Sequence, residues 1–301
     1  MPENKPERHN NIKTRGERKQ LGQFQEAWRR LLKNRSAIIG MVMLVIIITV
    51  ALLAPVLVDY QADCIDQHVL ERNQKPSAEH WFGTDELGRD VFARVIYGAR
   101  LSLFISLCAV AFETIVGTIL GACAGYFGGA LETVIMRTTD VFHAIPNLLL
   151  SICIAASLGQ SLFNMILAIG IAGIPNSLRI VRANVLALRN QEYVEAGRAL
   201  GGNDRQIIFS HIIPTTVAPL LITCTTRVAQ AILSTSSLSY LGIGIRPPTP
   251  EWGNMLSAGR GFMREAPHLT LFPGIAIMVT VLAINLLGDG LRDALDPKMK
   301  R

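Results

Sequence analysis

Charge is scarce in this chain. Only 17% of its 301 residues are charged and 50% are hydrophobic, a balance too apolar for an average soluble domain. The five cysteines (Cys64, Cys108, Cys123, Cys153 and Cys224) lack any C-x-x-C spacing and are odd in number, so neither a disulfide framework nor a thiolate metal site follows. The six histidines (His9, His68, His80, His143, His211 and His268) are scattered, with no H-E-x-x-H among them, which leaves no helix ready to hold a catalytic zinc. No G-x-x-x-x-G-K-S/T stretch occurs, and without it there is no P-loop cradle for nucleotide phosphates. The net charge of +6 raises nucleic acid as a partner, but the placement of the basic residues argues against it. Lys5, Arg8, Lys13, Arg15, Arg18, Lys19, Arg29, Arg30, Lys33 and Arg35 all precede the first apolar run, the arrangement that keeps a segment on the cytoplasmic side of a membrane.

What the sequence has is apolar length. A helix needs about 20 apolar residues to cross the hydrocarbon layer. Residues 37–58 carry no charge over 22 positions, longer than the roughly 7–15 apolar residues of a secretory leader, so this run reads as a retained anchor. Residues 101–126 are broken only by Glu113, and Gly117, Gly121 and Gly125 fall four apart on one face, the spacing that lets a second helix approach closely. Residues 144–178 are 35 positions without a charge, too many for one span and short of the roughly 40 needed for two. A third span is therefore expected to start near Leu131 with Arg137 and Asp140 on an interior face and to turn at residues 157–161; a fourth ends near Arg182. Residues 212–244 hold a fifth, interrupted by Pro214, Pro219 and Arg227, and residues 269–287 a sixth. Six spans with the amino end inside put both termini in the cytoplasm. Eighteen basic residues then fall inside against seven outside, as the positive-inside rule requires. Ahead of the first span, Leu21, Phe24, Trp28 and Leu31 recur at helical spacing, which predicts an interfacial helix over residues 20–34 behind a disordered basic tail.

Between the fourth and fifth spans, residues 193–200 read as a short helix, and Gly201-Gly202 after it is free to take the positive φ that ends a helix and turns the chain. Such a helix lies along the membrane surface, where it can fit a cleft on a soluble partner and pass that partner's rigid-body motion to the flanking spans. Pro214 sits where the fifth span begins and a missing N–H costs nothing. The plainer reading is an ordinary solvated helix-turn-helix loop. The residues are more specific than that. Glu195-Ala196-Gly197, three residues, Gly201, nine residues, then His211-Ile212-Ile213-Pro214 resembles the E-A-A-x3-G-x9-I-x-L-P loop of ATP-binding-cassette import permeases. Gly197 stands for Ala, His211 for Ile and Ile213 for Leu, while Glu195, Gly201 and Pro214 keep the spacing.

Three further segments are similar to the peptide and nickel import permeases, and among them to the C-type subunit of dipeptide, oligopeptide and glutathione systems. Residues 80–103 include Gly83, Thr84, Asp85, Gly88, Arg89 and Asp90. They form a turn-rich polar segment feeding a helix, where Asp85, Arg89 and Asp90 tie the outer loop down; direct substrate contact is the alternative. Residues 247–256 include Pro247, Pro248, Trp252 and Gly253. The prolines make this loop extended and stiff and Trp252 suits the membrane interface. A gate and scaffold is one role for the loop, a docking face for an external binding protein the other. The third segment holds Gly288, Asp289, Gly290, Arg292, Asp293, Asp296 and Pro297. Gly288 loosens the end of the last span, Pro297 stops the helix, and the segment anchors the tail against the inner loops. Gly128-Gly129, Met136-Arg137, Asp140 and Pro146 extend the match.

The resemblance implies an all-α membrane protein of six transmembrane helices, a type I (MetI-like) importer permease of the bacterial inner membrane. Residues 1–36 are then a cytoplasmic tail, 37–58 the first span, 59–100 an extracytoplasmic loop, and 101–301 a five-span core with the coupling loop at 192–214. It also implies partners: a second, homologous permease completing the pore, two ATPase subunits that grip Tyr193, Glu195 and their neighbours, an extracytoplasmic peptide-binding protein, and the lipid bilayer, with no nucleic acid. ATP and magnesium belong to the ATPase subunits; this chain holds no cofactor and is not an enzyme. Dipeptides, longer peptides, glutathione and nickel complexes are all cargo of this permease type, and the sequence does not choose among them. The rival is a secondary transporter, for which Glu113, Asp140 and Arg227 are ionisable candidates at membrane depth; the absence of two repeated halves in the sequence weighs against it.

Overall fold

The first span begins where Asn34 caps it, its side-chain oxygen accepting from the amides of Ser36 and Ala37, as helix starts require. The structure, a computed structural model, describes residues 28–295. Among the described residues, after a helical stretch at 28–31, ten α-helices follow in order: α1 (Arg35–Leu57), α2 (Val91–Phe127), α3 (Gly129–His143), α4 (Asn147–Leu158), α5 (Leu162–Leu188), α6 (Glu192–Ala199), α7 (Asp204–Ile207), α8 (Ile213–Tyr240), α9 (Trp252–Gly259) and α10 (His268–Leu295). A π-helical turn over Ile208–Ile212 joins α7 to α8, so that Asp204–Tyr240 runs as one 37-residue apolar helix. Among the described residues the only bridge of β type pairs Thr84 with Asp90.

Among the described residues, α1, α2, α5, the joined α7–α8 and α10 are each long and apolar enough to cross a membrane, while α3 and α4 qualify only together, bent by 90°. Contacts decide how to count that bent pair. Arg189, just past α5, donates to the carbonyl of Gly125 near the end of α2 at 3.1 Å, so α2 and α5 finish at the same face. Glu132 in the first turn of α3 pairs with Arg182 late in α5, at that face again. Gln160, beyond α4, bonds to the carbonyl of Gly242 beyond α8, at the opposite face. The bent pair therefore links the two faces and makes the sixth crossing. Asn34 and Asp293 bond at 3.1 Å, which brings the start of α1 and the end of α10 together.

Two expectations about the spans give way. The third crossing is broken rather than straight, because Pro146 sits at the α3–α4 junction as the N-cap of α4, and the residue before a proline is driven out of the helical region. Arg137 and Asp140 consequently stand exposed on α3 instead of facing an interior; Asp140 pairs with Arg179 of α5 at 2.7 Å. The last helix does not loosen at Gly288 but continues to Leu295. Of the expected interfacial helix, residues 28–31 are helical, with Leu31 buried beside Ala37 and Ala294. Leu21 and Phe24 lie outside the described residues, as do Asp296 and Pro297.

The glycine face of α2 meets α5. A Cβ at Gly117 would stand 2.6 Å from the Ser177 Cβ, at Gly121 2.6 Å from the Leu178 oxygen, and at Gly125 2.9 Å from the Val185 Cβ. Only a bare backbone permits this approach. The partner residues advance in step with the glycines, so the two helices are parallel. Deeper in the bundle Glu113 of α2, fully buried, receives Arg227 of α8 in a two-pronged pair, 2.7 Å from Nε and 2.9 Å from Nη2, with Gln230 taking the third Arg227 bond at 2.7 Å. Gly173 of α5 makes the space: its Cβ would fall 1.5 Å from the Glu113 carboxylate.

Two outcomes are expected from this packing. Gly121→Val should destabilise the protein by about 1–3 kcal/mol or more through overpacking, lowering its thermal midpoint in detergent, whereas Gly261→Ala, with nothing within 4 Å of its new carbon, should not. Arg227→Leu strands a buried carboxylate and should cost roughly 3–5 kcal/mol, while the Glu113→Leu/Arg227→Leu double variant should regain most of that loss. A double variant no more stable than Arg227→Leu would show that the pairing is not what matters.

Candidate functional site

Helix α6 is fastened by one residue. Val194 is fully buried among Val185, Ile207, Ile208 and Ile212, so the short helix is clamped between the end of α5 and the approach to α8. Tyr193, Glu195, Ala196 and Leu200 are exposed, and Leu200 keeps 89% of its surface. Tyr193, Ala196 and Leu200 recur at spacings of three and four, which places them on one helix face as an uncovered apolar stripe. Gly201 ends the helix at φ 84° with open space around its missing side chain; Gly202 then closes the turn by donating to the carbonyl of Gly197 at 3.0 Å. Two of the three departures from the family pattern meet here, since a Cβ on Gly197 would lie 3.9 Å from Nε2 of His211. Pro214 stands in the first turn of α8.

This loop is tied to α2 as well. The Tyr126 hydroxyl donates to Asp204 at 2.6 Å and the Arg198 guanidinium lies 5.1 Å from the Tyr126 ring centroid. α6 and the turn after it thus touch α2, the end of α5 and the approach to α8. Nothing in the sequence paired Tyr126 with residues some 70–80 positions later; only the fold brings them together.

At the opposite face the 80–103 segment is a closed polar knot. Asp85 accepts from the amides of Leu87 at 2.9 Å and Arg89 at 3.0 Å and from the Arg89 side chain at 2.7 Å; Arg94 Nε stands 3.4 Å away. Asp90 caps α2 through the Ala93 amide at 2.9 Å and meets His80 at 2.8 Å. Thr84 accepts from the Gln74 amide at 2.9 Å and its carbonyl meets His268 at 3.2 Å. Gly83 and Gly88 are forced, because a Cβ would strike Gln74 at 2.4 Å and His68 at 1.9 Å. Arg94 reaches across to the carbonyls of Cys64 and Pro248, and burial pushes the Cys64 thiol up to about 12. These groups are consumed by one another, which leaves little for a substrate to bind.

The 247–256 segment folds inward. Pro247 and Pro248 remain exposed, but Trp252 is 1% exposed, its indole donating to the Val95 carbonyl at 2.9 Å and lying against Gly98. It is a core residue and not the interface anchor expected, because Gly98 leaves a slot on α2 that the ring fills. Gly253 brings α9 onto α8, its Cβ position being 2.5 Å from the Ser236 oxygen. Sequence reasoning passed over Glu251, which caps α9 through the amides of Gly253 and Asn254, both at 2.9 Å, and takes the Ser102 hydroxyl at 3.1 Å; burial pushes its carboxyl upward. Its place before a short apolar helix was the available signal. In the last segment Gly288 and Gly290 serve close packing, against Thr225 and Ala37, while Asp289, Arg292 and Asp293 are exposed.

An open cavity of about 1000 Å³ lies between the α3–α4 junction, α5, α8 and the end of α10, lined among others by Asn147, Asn176, Thr223, Arg227, Gln230 and Arg292. No carboxylate lines it. Pro146 contributes to its wall; Arg137 and Asp140 do not.

Comparison with known proteins agrees with this arrangement. Residues 117–301 match the family of binding-protein-dependent transport system inner membrane components, and residues 22–76 match the N-terminal transmembrane domain of oligopeptide transport permease C. A dipeptide transport system permease protein of Alkalihalophilus pseudofirmus is 46% identical over 277 residues, covering 92% of this chain and 90% of that protein. A glutathione transport system permease protein of Pectobacterium atrosepticum is 43% identical over 278 residues, 92% of each chain. In fold, a chain of the MetNI methionine ABC transporter in an inward-facing conformation superposes with a TM-score of 0.52 at 15% identity, over 67% of this chain and 96% of that one. An amino acid ABC transporter chain gives 0.51 over 66% and 92%, also at 15% identity. The span of the family match and the identity to full-length relatives establish that this multi-pass membrane protein belongs to the binding-protein-dependent transport system inner membrane components.

Proposed function

We propose that the chain is one of two permease subunits of an ATP-driven importer of peptides, of the dipeptide, oligopeptide or glutathione class. Separate ATPase subunits supply the work and an extracytoplasmic binding protein supplies the cargo. The observation that carries this reading is the construction of α6: one buried valine fixes it to the bundle, while its apolar stripe of Tyr193, Ala196 and Leu200 has no cover among the described residues. The sequence has no P-loop of its own, so the energy must enter through contact. ATP and magnesium act in the ATPase subunits. Their closure would move α6 as a rigid body, and the ties through Tyr126 and the α7–α8 junction would pass that motion to the spans.

The 1000 Å³ cavity is open on one side, and a second, homologous permease facing it would complete the path. Named relatives transport dipeptides and glutathione, and the largely apolar cavity wall, set with Asn147, Asn176, Thr223, Gln230 and Arg292 and lacking a carboxylate, is compatible with solutes of that kind. The ion-coupled alternative finds no support. Glu113 and Arg227 are bonded to each other, and Asp140 to Arg179.

Two variants test the coupling role. Gly201→Trp places bulk where no described residue lies within 4 Å of the new Cβ, and Glu195→Lys reverses a charge on the exposed face. Both should abolish uptake of labelled dipeptide by whole cells, with the protein present in the membrane at normal level by immunoblot. Gly201→Ala, which carries only the roughly 1–2 kcal/mol penalty of a positive φ, should retain partial uptake. Normal transport by Gly201→Trp and Glu195→Lys would refute the proposal.

A further inference from the structure

The outer end of α2 carries a pocket that the transport reading does not use. Tyr60 from the turn after α1, Tyr97 and Arg100 of α2, and Thr249 and Pro250 from the loop before α9 surround a space of about 300 Å³, with Leu101 and Phe104 toward the bilayer centre. That is the size of a small ligand site. The Tyr60 and Tyr97 rings stand 4.9 Å apart, and the Arg100 guanidinium lies 5.7 Å from the Tyr97 ring centroid. The ring attracts the cation without neutralising it, and no carboxylate among the described residues pairs with Arg100.

Position decides what this charge can meet. Arg100 directly precedes the apolar run of α2, at the edge of the hydrocarbon layer. Descending the same helix face come Phe104, Leu107, Ile115 and Ile119, each 51–62% exposed, and with the exposed Ala111 between them they follow the three- and four-residue steps that keep one face. The walls of the 1000 Å³ cavity include no residue of α2, so this stripe turns away from the path and toward lipid. A cation at the head of a lipid-facing stripe extends to the headgroup layer, the layer that tyrosine rings favour.

We infer that this pocket binds the phosphodiester of an anionic glycerophospholipid of the extracytoplasmic leaflet. Arg100 provides charge-assisted hydrogen bonds in the fork geometry that suits phosphate oxygens, and the hydroxyls of Tyr60, Tyr97 and Thr249 are the neutral donors at the site. The acyl chains run down α2 over Phe104 and Leu107. One lipid thereby bridges the exit of α1, the start of α2 and the loop before α9, and takes no part in moving cargo.

The test uses the intact importer complex in detergent, with native mass spectrometry counting retained phosphatidylglycerol and phosphatidylcholine for wild type, Arg100→Gln and Tyr97→Phe. Phosphatidylglycerol should be retained in preference to phosphatidylcholine, its affinity should fall about tenfold in Arg100→Gln and less in Tyr97→Phe, and millimolar inorganic phosphate should not displace it. Should Arg100→Gln fail to assemble, Arg100→Lys takes its place, keeping the charge without the fork, and should lose part of the affinity. Equal retention by wild type and the Arg100 variant, no preference between the two lipids, or displacement by phosphate alone would overturn the assignment. So would cross-linking of Phe104→Cys to another subunit, which would mean that protein covers this face.

Discussion

The close parallel contact of α2 with α5 constrains everything else in the chain. Because Gly117, Gly121 and Gly125 let the two backbones nearly touch, their ends fall at one face, and the chain between them has to travel back across. The α3–α4 segment makes that return, and its proline break turns the crossing by 90°. The elbow so formed becomes a wall of the large cavity. The contact also fixes where Glu113 lies, and the carboxylate in turn draws Arg227 and the whole of α8 onto the pair. Buried charge in an apolar bundle is tolerable only with such a partner, so the pair specifies the placement of α8 as well as holding it.

The two ends of the bundle are built on different principles. The outer end is a hydrogen-bonded knot in which Asp85, Arg89, Asp90 and Arg94 satisfy one another and nearby carbonyls, and α9 is folded in on the buried Trp252. The other end carries the small helix α6, held through Val194 and Arg198 and exposed at Tyr193, Glu195, Ala196 and Leu200. The asymmetry is one of packing: one end is closed on itself, while the other leaves the exposed face of α6 without cover among the described residues.

Much of this was legible because membranes impose simple length and charge rules. The runs at 37–58, 101–126, 212–244 and 269–287 each lie within or largely overlap a helix of the fold, and the glycine spacing foretold a helix partner without naming it. The short helix around Glu195 was readable from the Gly201 turn that ends it. Long-range partnerships were not. Glu113 and Arg227 were each conspicuous as lone charges in apolar runs, yet their union depends on Gly173 of a third helix. Trp252 looked like an interface anchor because its burial depends on a slot at Gly98, more than 150 positions earlier. Arg137 and Asp140 looked interior because the elbow that exposes them comes from the local restriction at Pro146.

The sequence alone determined that the chain lives in a bilayer, roughly how often it crosses, which face carries the basic residues, and that a short helix forms around Glu195. Each of these rests on local composition, on the hydrocarbon thickness or on a short motif. Only the tertiary structure decided which helix the glycine face meets, that the third crossing is bent, which buried charges neutralise each other and where the cavity opens. Those outcomes turn on side chains distant in sequence competing for the same few ångströms of space, and no linear pattern records that competition.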